Sequence, residues 1–288
     1  MSAAHERTVE AALEANEEML RLFRLIGSAD DPDGRILAAY REARMVLDNP
    51  AALENRALVA NVLARLRREI EAEAGSLITA GLDLGTDQAR TQLRAYRLPA
   101  GDAPSALRDE LRDALITAVT GIVAVQAARA ATAALSGAAP EELVGDGTRM
   151  GILSPGEVMI SARDSIARAS YGAYDYAVAE TTQSTRERWY KQVVAAIDER
   201  TTDCCLQLHG VAVPMDEDFE VEGEPRYADQ QAGPPFHWNC RSALALVTEA
   251  DVDDPLTGRM QGAARAEISS RERGEEVTTA PSNALRGG

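Results

Sequence analysis

The sequence predicts a mostly α-helical protein, with long helices in the N-terminal two-thirds followed by a small α+β C-terminal module with a short antiparallel sheet. Apolar residues recur at helical spacing almost continuously up to about residue 186, and alternating apolar residues appear only beyond it. Aromatic residues make up only 4% of the chain, which suits helices packed along narrow seams better than a thick globular core. We expect four regions: a helical region at 1–138, a linker at 139–154, the α+β module at 155–250, and an extended or disordered tail at 251–288. A short helix at the start of the tail is left open.

The N-terminal helices follow from the spacing of their apolar residues and from the residues that end them. In the first helix, apolar side chains from Val9 to Ile26 recur every third or fourth position and so share one face. Glycine and proline then mark the helix ends. We predict helices at 6–27, 33–48, 51–74 and 86–96, which end in turn at Gly27, before Pro50, at Gly75 and before Pro99.

A long apolar seam begins after the break at 99–104 and runs from Leu107 to about residue 135. Such a seam needs a partner surface, because an isolated helix is marginal in water. Two alternatives remain open for it: an intramolecular helical bundle, or a helical arm that packs on other subunits. Its most apolar part, 121–135, is too short for a membrane span and contains Gln126 and Arg129.

The C-terminal module begins at a strong helix start signal. Ser154, Pro155 and Glu157 combine a capping box with proline at the first helical position, and the helix they start is predicted to reach about residue 186. The pattern then changes to alternation, and Gly210 is expected to end a short helix that carries Cys205. We predict strands in the segments RWYKQVVAAID, VAVPM and CRSALALV, with an acidic loop between the last two.

Charge and composition exclude several classes of function. The net charge of −16 argues against strong direct binding to nucleic acid, which needs clustered lysine and arginine. The N-terminus lacks the basic and apolar pattern of a signal peptide, and an odd number of cysteines favours assembly in a reducing cytoplasm. The chain also contains no glycine-rich phosphate loop.

The chemistry-bearing residues are crowded near the C-terminus, where all three cysteines and two of the three histidines lie between 204 and 240. One interpretation is a structural zinc site with two thiolates and two imidazoles. Cys205 and His209 are one helical turn apart, and His237 and Cys240 have the spacing of ligands on a tight turn. In this interpretation His209 is the fourth ligand, and Asp198 or Asp203 are the alternatives to it.

Two other interpretations of the cluster remain open. In one, Cys205 and Cys240 are buried apolar thiols, or form a disulfide bridge after cell lysis. In the other, a cysteine and His237 form a catalytic pair. The neighbouring residues have simpler expected roles. Trp189 and Trp238 are expected in the core of the β region, Arg200 and Arg241 in ion pairs with Asp198, Glu199 and Asp203, and His5 near the terminus without a particular role.

Two short motifs frame the cluster and are separated by the acidic loop. The first motif consists of Asp198, Glu199, Arg200, Thr201, Thr202, Cys205, Leu208 and Gly210, and the second of Pro234, Pro235, His237, Asn239, Cys240, Arg241 and Ser242. This pair closely resembles the phage Mu protein F-like head morphogenesis domain, the minor head (minor capsid) protein family of tailed bacteriophages. The resemblance covers roughly 155–248. Cys205, His237 and Cys240 match the motif residues of the family, whereas Cys204 and His209 fall at variable positions and Thr202 stands where many members carry a further cysteine.

The resemblance implies a structural protein of the phage head rather than an enzyme. It implies association with the portal protein, the major capsid protein or both, and a role in head assembly or in DNA packaging or ejection. We therefore expect assembly in the host cytoplasm and residence in the virion, with self-association open and no membrane partner. The alternatives are a metal-dependent hydrolase or toxin-like enzyme that uses His237 and a cysteine, and a soluble adaptor of non-viral origin.

Overall fold

The computed structural model describes residues 2–27, 34–100, 105–143 and 151–274. The predicted fold class is confirmed, because long helices precede a small antiparallel sheet. The helices are α1 (Ala3–Ile26), α2 (Arg35–Leu47), α3 (Pro50–Leu53), α4 (Arg56–Ala95), α5 (Ser105–Leu135), α6 (Pro140–Leu143), α7 (Pro155–Thr182), α8 (Asp203–Leu208), α9 (Glu249–Val252) and α10 (Pro255–Glu272). The strands are β1 (Trp189–Val194), β2 (Ala212–Pro214), β3 (Phe219–Glu220), β4 (Gln230–Gln231) and β5 (Ala243–Thr248).

Helix α4 corrects the prediction that one helix ends at Gly75 and another begins near residue 86, because it runs unbroken through both positions. A glycine inside a helix costs only about 1 kcal/mol relative to alanine. Burial of the flanking Ala74, Leu77 and Ile78 outweighs that cost. A glycine is therefore a weak stop signal where the apolar face continues on both sides of it.

The chain divides into two compact units, and neither is continuous in sequence. One unit consists of Met1–Leu20, Leu82–Arg108 and Ser170–Gly288, and the other of Arg21–Gly81 and Asp109–Ala169. The consecutive regions expected from the sequence differ from this division, because α1, α4, α5 and α7 each contribute residues to both units. The unit that contains the sheet therefore also contains helical segments from the N-terminal half.

In the first unit, a three-stranded antiparallel sheet with the order β2-β1-β5 is covered on both faces. Side chains alternate along β1, so Trp189 and Val193 belong to one core cluster and Val194 to another. The first cluster joins the sheet to α4 and α7 through residues such as Leu93 and Tyr174. The second joins it to α1 and α10, whose buried apolar residues include Val9, Ala12, Leu256 and Met260.

The free edge of β5 is covered by two glutamine side chains of α4. Gln88 Nε2 and Gln92 Nε2 both donate to the Leu244 carbonyl oxygen, at 2.7 and 2.8 Å. Gln92 Oε1 in turn accepts from the Leu246 backbone N–H at 2.7 Å and from the Tyr174 hydroxyl at 2.8 Å. The amide side chain thus takes the place of a further strand at an edge that would otherwise carry unpaired backbone groups.

Helix α10 takes up 18 residues in the first part of the predicted tail, which corrects the extended or disordered interpretation there and agrees with the alternative of a helix at its start, although it is longer than the short helix considered. The Asp254 side chain caps the helix by accepting from the Leu256 and Thr257 backbone N–H groups, and Pro255 occupies the first turn. Leu256 and Met260 then bury one face against the sheet. The remaining predicted tail, 275–288, and the middle of the predicted linker, 144–150, lie outside the described residues.

Helix α5 has the length and apolar composition that a membrane span would require. Its buried Gln126, however, is fully engaged within the second unit. Its Nε2 donates to the Ser154 carbonyl at 3.1 Å and to Glu157 at 2.7 Å, and its Oε1 accepts from the Tyr40 hydroxyl at 2.8 Å. This network is typical of a helix packed inside a protein and favours the bundle alternative.

We predict that the approach of α4 to α7 depends on Gly85. A Cβ atom at this position would lie 1.9 Å from the Ser170 carbonyl oxygen, so Gly85→Ala should lower the free energy of unfolding by about 1–3 kcal/mol. The control is Gly262→Ala in α10, where a Cβ meets nothing within 4 Å, and this variant should be more stable by about 0.5–1 kcal/mol. Denaturant unfolding followed by circular dichroism measures both, and an unchanged midpoint for Gly85→Ala would contradict the close approach.

Candidate functional site

The first half of the site is the short helix α8, which the chain builds directly after β1. Thr202 is its N-cap residue in extended conformation, and Asp203 lies in the first turn, where a negative charge is favourable. Gly210 then adopts φ 81°, which glycine tolerates, and its N–H donates to the Val193 carbonyl at 2.8 Å. The chain thereby returns to the side of β1 after α8, and Cys204, Cys205 and Leu208 are buried in the core between the sheet and α7.

The second half of the site is the turn that leads into β5. The Cys240 backbone N–H donates to the His237 carbonyl at 3.2 Å, and Asn239 adopts φ 60°, a left-handed conformation that asparagine tolerates better than most residues. His237 Nδ1 lies 2.6 Å from the Trp238 carbonyl oxygen. A carbonyl only accepts, so Nδ1 carries the proton in this contact and the ring turns Nε2 towards the cysteines.

The structure brings together three of the four predicted ligands. Cys205 Sγ lies 3.1 Å from His237 Nε2 and 3.7 Å from Cys240 Sγ. All three residues are at most 5% exposed. Cys204, which the sequence analysis placed among variable positions, also lies close by: its ligand atom and those of Cys205 and His237 lie within 4.8 Å of one another, a set that does not include Cys240.

His209, the predicted fourth ligand, is engaged elsewhere. Its Nδ1 accepts the Ala195 backbone N–H at 3.0 Å, and burial lowers the pKa of His209 to about 4. The alternative fourth ligands are also in use. Asp198 pairs with Arg241 at 2.6 Å, and Asp203 lies 3.4 Å from an Arg271 guanidinium nitrogen. Cys204 lies beside the cluster, and its Sγ in turn donates to the Pro225 carbonyl at 2.8 Å.

Hydrogen bonds within the cluster separate the pKa values of its thiols. Hydrogen bonds with Cys204 and Cys240, together with burial, raise the pKa of Cys205. Burial acts to raise the pKa of Cys240, but hydrogen bonds with Cys205 and His237 outweigh it and lower that pKa well below its usual value. Burial acts to lower the pKa of His237, and the hydrogen bond with Cys240 outweighs it and raises that pKa. The shifts thus favour the thiol form of Cys205 and the charged forms of Cys240 and His237 relative to free side chains.

The donor set fits zinc. Thiolate sulfur and imidazole nitrogen are the ligands of structural zinc, and a tetrahedral site with Zn–S bonds of about 2.3 Å separates two sulfurs by roughly 3.8 Å. The distance of 3.7 Å between Cys205 Sγ and Cys240 Sγ agrees with that edge. The carbonyl on His237 Nδ1 fixes the ring orientation and tautomer that a metal-binding histidine requires.

The other interpretations of the cluster are constrained by the same geometry. The three cysteines are free thiols in this structure, and 3.7 Å between two sulfurs is well beyond the length of about 2.05 Å that a disulfide bond has. A catalytic cysteine needs access to substrate, yet Cys205 and Cys240 are 2% and 1% exposed. Burial thus favours a structural role over a catalytic one.

An ion pair between Asp198 and Arg241 also joins the two motifs, as the sequence analysis predicted. The Arg241 guanidinium donates to both carboxylate oxygens of Asp198, at 2.7 and 2.6 Å. Arg200, the other predicted ion-pair residue, lies 3.9 Å from Glu199, and both side chains are exposed. The bidentate pair is the stronger interaction, because its geometry is fixed and it is partly buried.

The two tryptophans differ in environment. Trp189 is buried in the core as predicted, and its ring meets Tyr96 edge-on with centroids 5.0 Å apart. Trp238 is 61% exposed, so the prediction that it belongs to the core is wrong. It lies on the turn that presents His237, where only its backbone carbonyl is used.

His5 is a structural residue that sequence reasoning missed. It is fully buried, with Nε2 2.9 Å from Gln192 Oε1 and Nδ1 3.2 Å from Asp254 Oδ2. It thereby joins α1 to β1 and to the start of α10. Asp251 lies close enough to His5 and Asp254 to complete a potential metal group, but its Oδ2 already accepts from Tyr96 and Thr248. The polar Gln192 beside the apolar Val193 and Val194 of β1 was a sequence signal for this buried network.

Comparison with known proteins supports the resemblance seen in the motifs. A family model described as "Phage Mu protein F like protein" matches residues 100–245, half of the chain, including the whole of the cysteine and histidine cluster. Neither the curated proteins nor the solved structures compared with the chain gave a match.

We predict that the ion pair between Asp198 and Arg241 makes stability depend on pH in the acid range. Burial acts to raise the pKa of Asp198, and the hydrogen bond and charge of Arg241 outweigh it and lower that pKa. The contribution is therefore complete above the unfolded-state pKa of about 3.9 and is lost as the pH falls through the lower folded-state value.

The measurement is a double-mutant cycle with Asp198→Asn and Arg241→Gln, in urea at pH 7 and pH 3. We expect a coupling free energy of about 1 kcal/mol at pH 7 that diminishes at pH 3. Arg200→Gln is the matched control and should change stability little, because its pair with Glu199 is exposed. Equal coupling at both pH values would show that the pair does not titrate as described.

Proposed function

Because the chain belongs to the family of phage Mu protein F like proteins, we propose that it is a structural minor head protein of a tailed bacteriophage. Family membership indicates a role in phage head morphogenesis and association with the virion. The finer proposal is that the protein contacts the portal protein, the major capsid protein or both, and acts in head assembly or in DNA packaging or ejection rather than in catalysis.

The observation that supports a structural role is that two separate contacts join the two family motifs. The Cys205, His237 and Cys240 cluster joins α8 to the turn before β5, and the Asp198–Arg241 pair joins the same two segments again. The thiols face the core, where substrate has no access. Such an arrangement holds the geometry of a small sheet, which is what a subunit of a rigid assembly requires.

We further propose that the cluster holds a structural zinc ion. Cys205, His237 and Cys240 would be three ligands and Cys204 the fourth, in place of the predicted His209. When bound, the metal would supply a cross-link between segments that the acidic loop separates in sequence, and its binding free energy would add to folding stability. The donor types, the 3.7 Å sulfur separation and the carbonyl on His237 Nδ1 support this assignment.

We predict that the purified protein contains about one zinc per chain, as four-coordinate structural sites do. Cys240→Ser and His237→Ala should each release the metal and lower the melting temperature, and Cys204→Ser should weaken zinc retention against a chelator. His209→Gln is the discriminating variant, because its Nδ1 already accepts from Ala195 and it should retain zinc. Metal analysis after dialysis against a chelator measures all four, and loss of zinc from His209→Gln with retention in Cys204→Ser would restore the ligand set predicted from the sequence.

We predict that the protein co-sediments with heads that contain portal and major capsid proteins when the three are co-expressed. The variant Cys205→Ser, which removes the central thiol of the cluster, should reduce incorporation because the module is less stable. Heads made without portal identify the partner, since loss of incorporation there assigns the contact to portal. If His237→Ala abolished a measurable turnover yet left folding and incorporation intact, the structural proposal would be wrong and the enzymatic alternative correct.

A further inference from the structure

The first unit contains a second group of buried polar side chains, which shares no residue with the cysteine cluster. His5 of α1, Asp251 of α9 and Asp254, the N-cap residue of α10, each offer a ligand atom within 4.8 Å of the other two. His5 and Asp251 are buried, and the Asp254 side chain is almost completely so. Among the described residues, His5 is the only basic side chain within ion-pair distance of either carboxylate. Two carboxylates are thus withdrawn from water with little charge to balance them.

Hydrogen bonds fix which nitrogen of the His5 ring carries a hydrogen. Gln192 Nε2 donates to the Gly210 carbonyl at 3.2 Å and to the Thr257 hydroxyl at 2.8 Å. This sets the orientation of the amide, so Gln192 Oε1 is an acceptor, and His5 Nε2 donates to it at 2.9 Å. A neutral imidazole carries a hydrogen on one nitrogen only. His5 Nδ1 therefore presents a lone pair.

The lone pair of His5 Nδ1 faces the Asp254 carboxylate. Nδ1 and Asp254 Oδ2 lie 3.2 Å apart, and both are buried atoms without a hydrogen-bond partner in the described part of the chain. Two buried acceptors that face each other are unfavourable unless a cation lies between them. The distance of 3.2 Å agrees with the separation of roughly 3.0–3.4 Å between adjacent nitrogen and oxygen ligands whose bonds to a metal are about 2.0–2.2 Å long.

Hydrogen bonds to neighbouring groups orient all three side chains. Asp251 Oδ2 accepts from the Tyr96 hydroxyl at 2.8 Å and from the Thr248 hydroxyl at 2.7 Å. A carboxylate has about four lone-pair sites, so these bonds orient Asp251 without exhausting its acceptor capacity. His5 is held through Nε2, and Asp254 is held through Oδ1, which accepts from backbone N–H groups at the start of α10. Outer partners of this kind are typical of metal ligands in proteins.

We propose that His5, Asp251 and Asp254 bind a divalent metal cation. Two carboxylates and a neutral imidazole balance the charge of such an ion. Because the set contains no sulfur, it suits a harder cation such as Mn²⁺ better than the cysteine cluster does, whose thiolates select zinc. The ion would join the N-terminal end of α1 to α9 and to the start of α10.

The site is independent of the family resemblance and of the zinc proposal. His5 precedes the range 100–245 that the family model matches, and Asp251 and Asp254 follow it. None of the three residues belongs to either of the two motifs. The proposal therefore concerns a property of this chain beyond head assembly.

The test is a titration of the full-length protein, dialysed against a chelator, with Mn²⁺. Electron paramagnetic resonance counts the bound ion through loss of the free-ion signal, and electron spin echo modulation detects a directly bound imidazole nitrogen. We expect saturable binding of about one Mn²⁺ per chain with a nitrogen coupling. His5→Gln should abolish the coupling and weaken binding about tenfold or more, which corresponds to roughly 1.4 kcal/mol.

A second variant and two controls separate loss of the site from loss of the fold. Asp254→Asn retains an oxygen for the helix cap and should also weaken binding about tenfold, and circular dichroism checks that both variants fold. Asp253→Asn makes the same change at the adjacent exposed position and should retain the affinity of the unmodified protein. His237→Ala removes a proposed zinc ligand and should retain both the binding and the nitrogen coupling.

Four outcomes would overturn the proposal. Absence of saturable Mn²⁺ binding would show that a proton on His5 balances Asp254 instead. Binding without a nitrogen coupling, or binding that His5→Gln and Asp254→Asn both leave unchanged, would assign the ion to exposed carboxylates. Loss of binding in His237→Ala would assign it to the cysteine cluster.

Discussion

The free edge of β5 is the constraint on which the unit that contains the site depends. A three-stranded sheet cannot bury its own two faces or satisfy its own edges. The side chain of Gln92 in α4 forms hydrogen bonds with the backbone of Leu244 and Leu246, as a neighbouring strand would. Helices α1 and α10 cover the face of the sheet that α4 and α7 leave open. The C-terminal sheet is therefore stable only together with helical segments that lie far away in sequence.

Two contacts hold the two motifs together: a cluster of thiols with an imidazole, and a bidentate ion pair. The two contacts respond to different conditions, because free thiols are sensitive to oxidation, whereas the Asp198–Arg241 ion pair is sensitive to acid. If one of the two contacts is lost, the other still holds α8 beside the turn that leads into β5. Two independent contacts between the same segments are consistent with a structural role for this module.

Sequence reasoning succeeded where the physical signal was local. Long helices, the start of α7 at Pro155 and the alternation of β1 were all readable, because periodicity and capping act over a few residues. It failed at Gly75, at Trp238 and in the segment that forms α10. In each of these cases burial against distant segments, or its absence, decided the outcome, and a local pattern carries no information about that.

The sequence by itself determined the helical class, the antiparallel module and the family motifs, and it predicted that Cys205, His237 and Cys240 lie close together, as they do. Only the tertiary structure decided that Cys204 lies close to Cys205 and His237 while His209, at the end of α8, accepts the Ala195 backbone N–H. It also decided that His5 is buried between Gln192 and Asp254. The reason is physical: spacing along the chain sets which side chains share a helix face, but desolvation depends on what the rest of the fold brings against that face.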